Sequence, residues 1–165
     1  MTIGYIDFEF TPKANGQLQP TELGIAWWQN QFLKCQLASF SRNHKREDVH
    51  LRIRDILSSL YENGHIDTLV FWDKTQDTKI LQQSGVDLSL YTIIDLQDRV
   101  GKIALKDTAD LFNINSDTLQ QYILPTQKDE VKKLSVHSAI GDALRVALIY
   151  KHIMITTKEN VIRNY

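Results

Sequence analysis

Two acids stand two residues apart in a run that is otherwise apolar and aromatic, Ile3-Gly4-Tyr5-Ile6-Asp7-Phe8-Glu9-Phe10. Side chains alternate across a strand, so Asp7 and Glu9 leave the same face as Ile3 and Tyr5, while Ile6, Phe8 and Phe10 leave the other. Two carboxylates at about 4 Å repel by roughly 4 kcal/mol at an effective dielectric near 20, so the pair calls for a cation between them. A divalent ion such as Mg²⁺ fits, because hard cations take carboxylate oxygens and keep some waters for chemistry. The plainer alternative is a strand end with two solvated acids. A second group of interest is His137-Ser138-Ala139-Ile140-Gly141-Asp142-Ala143. If a helix begins near Ser138, His137 stays on the loop before it while Asp142 points back onto the sheet. An imidazole with an ordinary pKa of about 6.5 can then act as a base beside a metal. Here the plainer alternative is a helix-capping histidine with a first-turn acid favoured by the helix dipole.

The elements that must position these groups follow from periodicity. After the first strand, Thr11 to Gln17 carries the Pro, Asn and Gly of a turn. Residues 22–29 and 32–40 read as two further strands joined tightly at Asn30-Gln31, with Leu33, Cys35 and Leu37 on one side and Lys34 and Gln36 on the other. From Asp48 to Tyr61, Val49, Ile53, Ile56, Leu57 and Leu60 recur at helical spacing, with Asn63-Gly64 as the stop. Residues 68–72 form a short buried strand, Asp73 to Gln83 a helix, and Leu90 to Asp95 a fifth strand, followed by short helical pieces of which 105–112 is the clearest. Gln120 to Lys133 is polar and interrupted by Pro125, and reads as an exposed, movable connection. The last helix runs from about Ser138 to Met154 with a buried stripe of Ala139, Asp142, Val146, Ile149 and Ile153. The expected fold is α/β: a mixed five-stranded sheet, three antiparallel strands and then two parallel ones, flanked by helices. Asp73, Asp77 and Asp95 fall at or just past the carboxyl ends of the parallel strands, where ligands gather in such folds.

Composition narrows the function classes. The 165 residues fit one domain, 1–165, and the net charge of -1 gives no broad basic field for nucleic acid, so an anionic substrate needs local Lys, Arg or bound cations. Arg42, Lys45, Arg46, Lys132, Lys133 and Arg145 are candidates for such contacts, each with solvated surface charge as its simpler role. The lone Cys35 excludes an internal disulfide, no Cys/His cluster suggests structural zinc, and its simplest role is small apolar filler. Early acids interrupt the N-terminal apolar run, so neither a signal peptide nor a membrane span is expected, and the cytoplasm is the default location. Scattered glycines give no P-loop or dinucleotide fingerprint. His44, His50, His65 and His152 lack catalytic spacing and are read as surface or core residues, and Asp95 as a turn or helix cap.

Taken together, these motifs resemble the DEDDh-type 3'-5' exonucleases of the ribonuclease H-like superfamily, particularly the ERI/KapD-like branch, and are similar also to polymerase III epsilon-type exonuclease domains. Asp7-Phe8-Glu9-Phe10-Thr11 resembles their D-x-E-x-T motif and Glu22-Leu23-Gly24-Ile25-Ala26 the following E-[IL]-G strand. Trp72-Asp73-Lys74-Thr75-Gln76-Asp77 through Leu81 is similar to the second motif, Ile94-Asp95-Leu96-Gln97 to a strand ending in D-L-Q, and His137 to Ala143 to H-x4-D-A. The resemblance implies a ribonuclease H-like sheet on which Asp7, Glu9, Asp77 and Asp142 hold two divalent cations, Mg²⁺ or Mn²⁺, with His137 as general base. It further implies hydrolysis at single-stranded RNA or DNA 3' ends to nucleoside 5'-monophosphates, RNA slightly favoured, with Phe8, Phe10 and Thr11 beside the terminal nucleotide. Asp73 departs from the pattern: it lies one turn before Asp77 on the same helix face, and either acid fits the second-motif role. Two other readings remain, a proofreading-type DNA exonuclease and a non-catalytic nucleic-acid-binding module of the same fold. An interaction protein would show Trp27 or Trp28 exposed.

Overall fold

The computed structural model describes residues 2–41 and 44–163, and of residues 158–163 the backbone alone. Strands β1 (Thr2–Pro12), β2 (Leu18–Gln29) and β3 (Phe32–Ser39) form an antiparallel meander, and β4 (Ile66–Phe71) and β5 (Thr92–Asp95) extend it in parallel. The sheet order is β3-β2-β1-β4-β5, so β1 is central and has antiparallel and parallel neighbours on its two sides. This is the mixed five-stranded sheet expected from the sequence. Helices α1 (Arg46–Gly64), α2 (Lys74–Gln83), α3 (Gln97–Val100), α4 (Leu105–Leu111), α5 (Ser116–Tyr122) and α6 (Ala139–Arg163) complete the chain. Among the described residues, no helix is long and apolar enough to cross a membrane.

Alternation along β1 divides the core into two layers. Ile6 and Phe8 pack with Leu23, Ile25, Val49, Ile53, Leu57, Phe71 and Ile80 beneath α1 and α2. Tyr5, with Ala26, Leu33 and Val70, packs under α6. Helix α6 lies close to the sheet because its inward positions are small: Ala139, Ala143 and Ala147 recur every fourth residue and are buried. Gly24 on β2 is the matching gap, since a Cβ there would stand 2.5 Å from the Ala139 carbonyl carbon and the Ile140 nitrogen. Any side chain at position 24 would lift α6 from the sheet.

Several boundaries shift for local reasons. The β2–β3 connection is the expected tight turn, with Asn30 left-handed at φ 59° and Gln29 paired with Phe32. At the end of α1 the left-handed residue is His65, φ 54°, after the Asn63-Gly64 expected to stop it. The fifth strand starts at Thr92, because Asp87 caps a 3₁₀ turn over Leu88–Leu90 through the Ser89 N–H. Leu37, expected on the apolar side of β3, is 41 % exposed near the sheet edge.

The largest correction is Gln120 to Lys133, which is exposed along much of its length as expected but is also fastened to the fold at particular residues. Ile123 and Val131 are buried, Leu124 N–H donates to the Leu33 carbonyl at 2.9 Å, and α5 carries the reciprocal Asn115–Thr118 capping box. Gln127 acts as a missing strand neighbour for β3: its Oε1 accepts from Cys35 N–H at 2.8 Å and its Nε2 donates to the Cys35 carbonyl at 2.9 Å. A polar side chain thus covers a sheet edge, which an apolar-periodicity argument cannot detect.

Candidate active site

The site grows out of the upper half of β1. Asp7 and Glu9 face the α6 side of the sheet, and a bulge between Glu9 and Phe10 then breaks the β1–β2 register. Asp7 pairs with Gly24 and Glu9 with Glu22 on β2. Because Gly24 admits the first turn of α6, the same contact that seats the helix brings Asp142 over Asp7 and Glu9. Ligand atoms of Glu9, His137 and Asp142 lie within 4.8 Å of one another. From the other side, α2 starts at the end of β4, and Asp77 on its first turn comes near the Phe8 backbone N–H of β1. All five residues singled out by the sequence therefore line one cavity of about 260 Å³, together with Phe8, Phe10, Trp72, Asp73, Gln76 and Leu105.

The two acids of the second motif separate clearly. Asp73 is the exposed N-cap of α2 and its carboxylate accepts from Thr75 N–H at 3.0 Å. Asp77 is 6 % exposed and faces the other acids. Capping is a sufficient structural reason for Asp73, and nothing comparable accounts for a buried Asp77. Asp95 takes the turn role expected of it, accepting from Gln97 N–H at 3.0 Å.

Electrostatically the cluster is unbalanced. Burial, and then the charges of Asp77, Asp142 and Glu9, push the Asp7 carboxyl well above the usual carboxylate range. Asp77 is also pushed well up, chiefly by burial, against which the Phe8 N–H works. Glu9 and Asp142 are raised as well, burial being the main cause in each; Arg145 and the His137 N–H pull Asp142 back. Asp7 Oδ2 is buried and, among the described residues, has no hydrogen-bond partner. A buried unpartnered oxygen among four mutually repelling acids is what a divalent-cation site looks like without its ion, and the all-oxygen set with one adjacent imidazole suits Mg²⁺ or Mn²⁺.

The residues proposed to meet substrate are placed differently. Phe8 is 3 % exposed and packs in the α1/α2 layer, leaving no free ring face for a base. Phe10 is half-buried on the cavity wall, and Thr11 is exposed and outside the lining. Trp27 and Trp28 are half-buried, with Lys34 and Lys151 over their respective rings.

Sequence reading missed three residues that build the site. Glu22 Oε1 accepts from Ala139 N–H at 3.3 Å, so the acid of the E-[IL]-G segment supports the start of α6. Gly24 sets the helix height. Arg145, read most simply as solvated surface charge and alternatively as a contact for a substrate backbone, is instead 4 % exposed and bonds Asp142. Of the other candidate basic residues, Arg42 lies outside the described residues, Lys45, Lys132 and Lys133 are exposed, and Arg46 is half-buried. Arg46 hydrogen-bonds Gln17 and His50, and His50 in turn contacts Ser84 Oγ at 2.7 Å. These groups border a larger open groove of about 610 Å³ that contains none of the four acids, so volume alone does not locate the chemistry.

Comparison with known proteins adds little detail. No family model and no curated protein matches the chain. Solved structures similar to it include Thermus thermophilus RuvC in complex with a Holliday junction substrate, at 12% identity and TM-score 0.48, covering 95% of this chain and 96% of that one, and Thermus thermophilus RuvC, at 15% identity and TM-score 0.43, covering 90% and 92%.

Proposed function

We propose that the protein is a metal-dependent nuclease of the ribonuclease H-like fold, and more narrowly a 3'-5' exonuclease acting on single-stranded RNA or DNA ends, RNA ahead of DNA. The observation that carries the reading is the convergence of acids from three distant segments around the unpartnered, buried Asp7 Oδ2. The exonuclease assignment draws on the order and spacing of the motifs along the chain.

In this reading Asp7, Glu9, Asp77 and Asp142 hold two divalent cations, which when bound supply positive charge for the phosphate in its transition state and acidify water. His137 is exposed at the mouth of the cavity, on the loop before α6, where its ring can accept a proton from the attacking water and pass it to solvent. Phe10 and Leu105 give the cavity an apolar wall against which a terminal nucleoside can rest. The buried acids exclude other anions until cations are present, so substrate and metal would bind together.

The test uses 5'-labelled RNA and DNA oligonucleotides with Mg²⁺ or Mn²⁺, with chelator, and with a closed circular substrate. Shortening from the 3' end that chelator abolishes is the expected result. Cutting of the circle would replace the exonuclease by an endonuclease, and binding without cleavage would favour a non-catalytic module. His137→Ala is expected to lower turnover by about 10² to 10⁴ with Mn²⁺ affinity retained; loss of Mn²⁺ binding would instead make His137 a ligand.

A further inference from the structure

Arg145 is buried beside the site, and among the described residues the one member of the cavity lining it hydrogen-bonds is Asp142. Its Nη1 donates to Asp142 Oδ1 at 3.3 Å, and its Nη2 to the Leu134 carbonyl at 2.8 Å. These two acceptors flank the loop that carries His137. The loop folds tightly over the first turn of α6: Ser138 Oγ is 2.9 Å from the carbonyls of Lys133 and Ser135, and His137 N–H donates to Asp142 Oδ2 at 3.3 Å. Gly141 makes room for it, since a Cβ there would stand 2.5 Å from Ser138 Oγ and 2.9 Å from the Leu134 and Ser135 oxygens. His137 itself is left-handed, φ 68°, a conformation a non-glycine residue keeps only where its surroundings impose it.

We propose that Arg145 is a positioning residue: its guanidinium fork clamps Asp142 to the Leu134 end of the His137 loop, so that a metal-binding carboxylate and the base move as one body. The proposal rests on the reading of Asp142 as a ligand and His137 as the base. Each oxygen of Asp142 is fixed by one donor, Arg145 on Oδ1 and the His137 N–H on Oδ2, which sets the direction in which its remaining lone pairs face Glu9. The planar fork sends donors from two nitrogens in fixed directions to the two acceptors; a lysine ammonium keeps the charge but offers its donors from a single nitrogen on a flexible stem and does not reproduce that geometry. Residues that orient a metal ligand in this way typically matter by about 10- to 100-fold in affinity or activity.

The experiment compares wild type with R145K and R145M in the full chain. Amide hydrogen exchange of residues 133–138 is measured without metal, Mn²⁺ binding by electron paramagnetic resonance, and kcat and KM on a single-stranded oligonucleotide. In R145K, exchange across 133–138 is expected to speed up about tenfold or more while β1 and β2 stay protected. Mn²⁺ affinity should weaken about tenfold and kcat fall about 10²-fold, with KM changed little. Loop exchange and kcat within twofold of wild type would overturn the proposal. So would loop and sheet exchanging together in both variants, since Arg145 would then support the whole fold. If wild type neither binds Mn²⁺ nor cuts, the nuclease reading fails, while loop exchange in the metal-free protein still decides whether the clamp exists.

Discussion

The two faces of β1 are made by alternate residues of one strand and end in opposite conditions. On the α1/α2 side, Ile6 and Phe8 are buried among apolar neighbours, and the layer is complete as it stands. On the α6 side, Tyr5 begins an equally apolar layer, but one and two pleats further up Asp7 and Glu9 meet Asp142 and Asp77, and an oxygen is left without a partner. One face stabilises the fold on its own terms. The other stores repulsion that a cation bound there would relieve, so that one sheet would serve as both scaffold and site.

Substitutions on the two faces should therefore differ in sign. Phe8→Ala removes a fully packed ring and is expected to cost about 3–5 kcal/mol of stability with or without metal, read from denaturant unfolding. An Asp7→Asn exchange, one residue away, should instead stabilise the metal-free protein by about 1–3 kcal/mol, because it deletes a buried charge repelled by Asp77, Asp142 and Glu9, while abolishing Mn²⁺-dependent cutting. The pH dependence follows from the same groups. Their carboxyl pKa values are raised in the fold, so the stability they contribute is complete below about pH 4, where the unfolded chain also holds its protons, and is lost as pH rises through the folded values. Melting of the metal-free wild type should thus fall between pH 5 and 8 more steeply than that of Asp7→Asn, and Mn²⁺ should offset the loss. A wild type that melts higher at pH 8 than at pH 5 without metal, relative to the variant, would show that the acids are not strained. The smallest effect belongs to Glu22→Gln, expected to cost about 1 kcal/mol or less, since an amide oxygen can still accept from Ala139 N–H but without the charge that favours a helix start. A larger loss would mean that β2 holds α6 in place more through this bond than through the Gly24 contact.

Much of this was legible in the residues. Strand alternation placed Asp7 and Glu9 opposite Phe8, and helical spacing put Asp142 on the buried stripe of α6, because both patterns are local and follow backbone geometry. The difference between Asp73 and Asp77 was not legible, as the expected helix put both on one face; the structure separates them by making Asp73 the N-cap, its carboxylate accepting from Thr75 N–H, and burying Asp77. Gln127 and Arg145 were misread for a common reason. Gln127 answers the backbone of Cys35, 92 residues away, and Arg145 the carbonyl of Leu134, 11 residues back, and no sequence periodicity encodes such pairings; the Arg145–Asp142 contact alone, three residues apart on α6, has helical spacing. The cost of burying them is offset only by partners that the fold supplies.

The most direct measurement is anomalous diffraction at the manganese edge from crystals of the wild-type protein soaked in Mn²⁺. Two peaks about 3.5–4 Å apart, bounded by Asp7, Glu9, Asp77 and Asp142 with one of them beside Asp7 Oδ2, are the expected result. Ordered acids with no anomalous density between them would contradict the claim that this end of the sheet is assembled to hold cations.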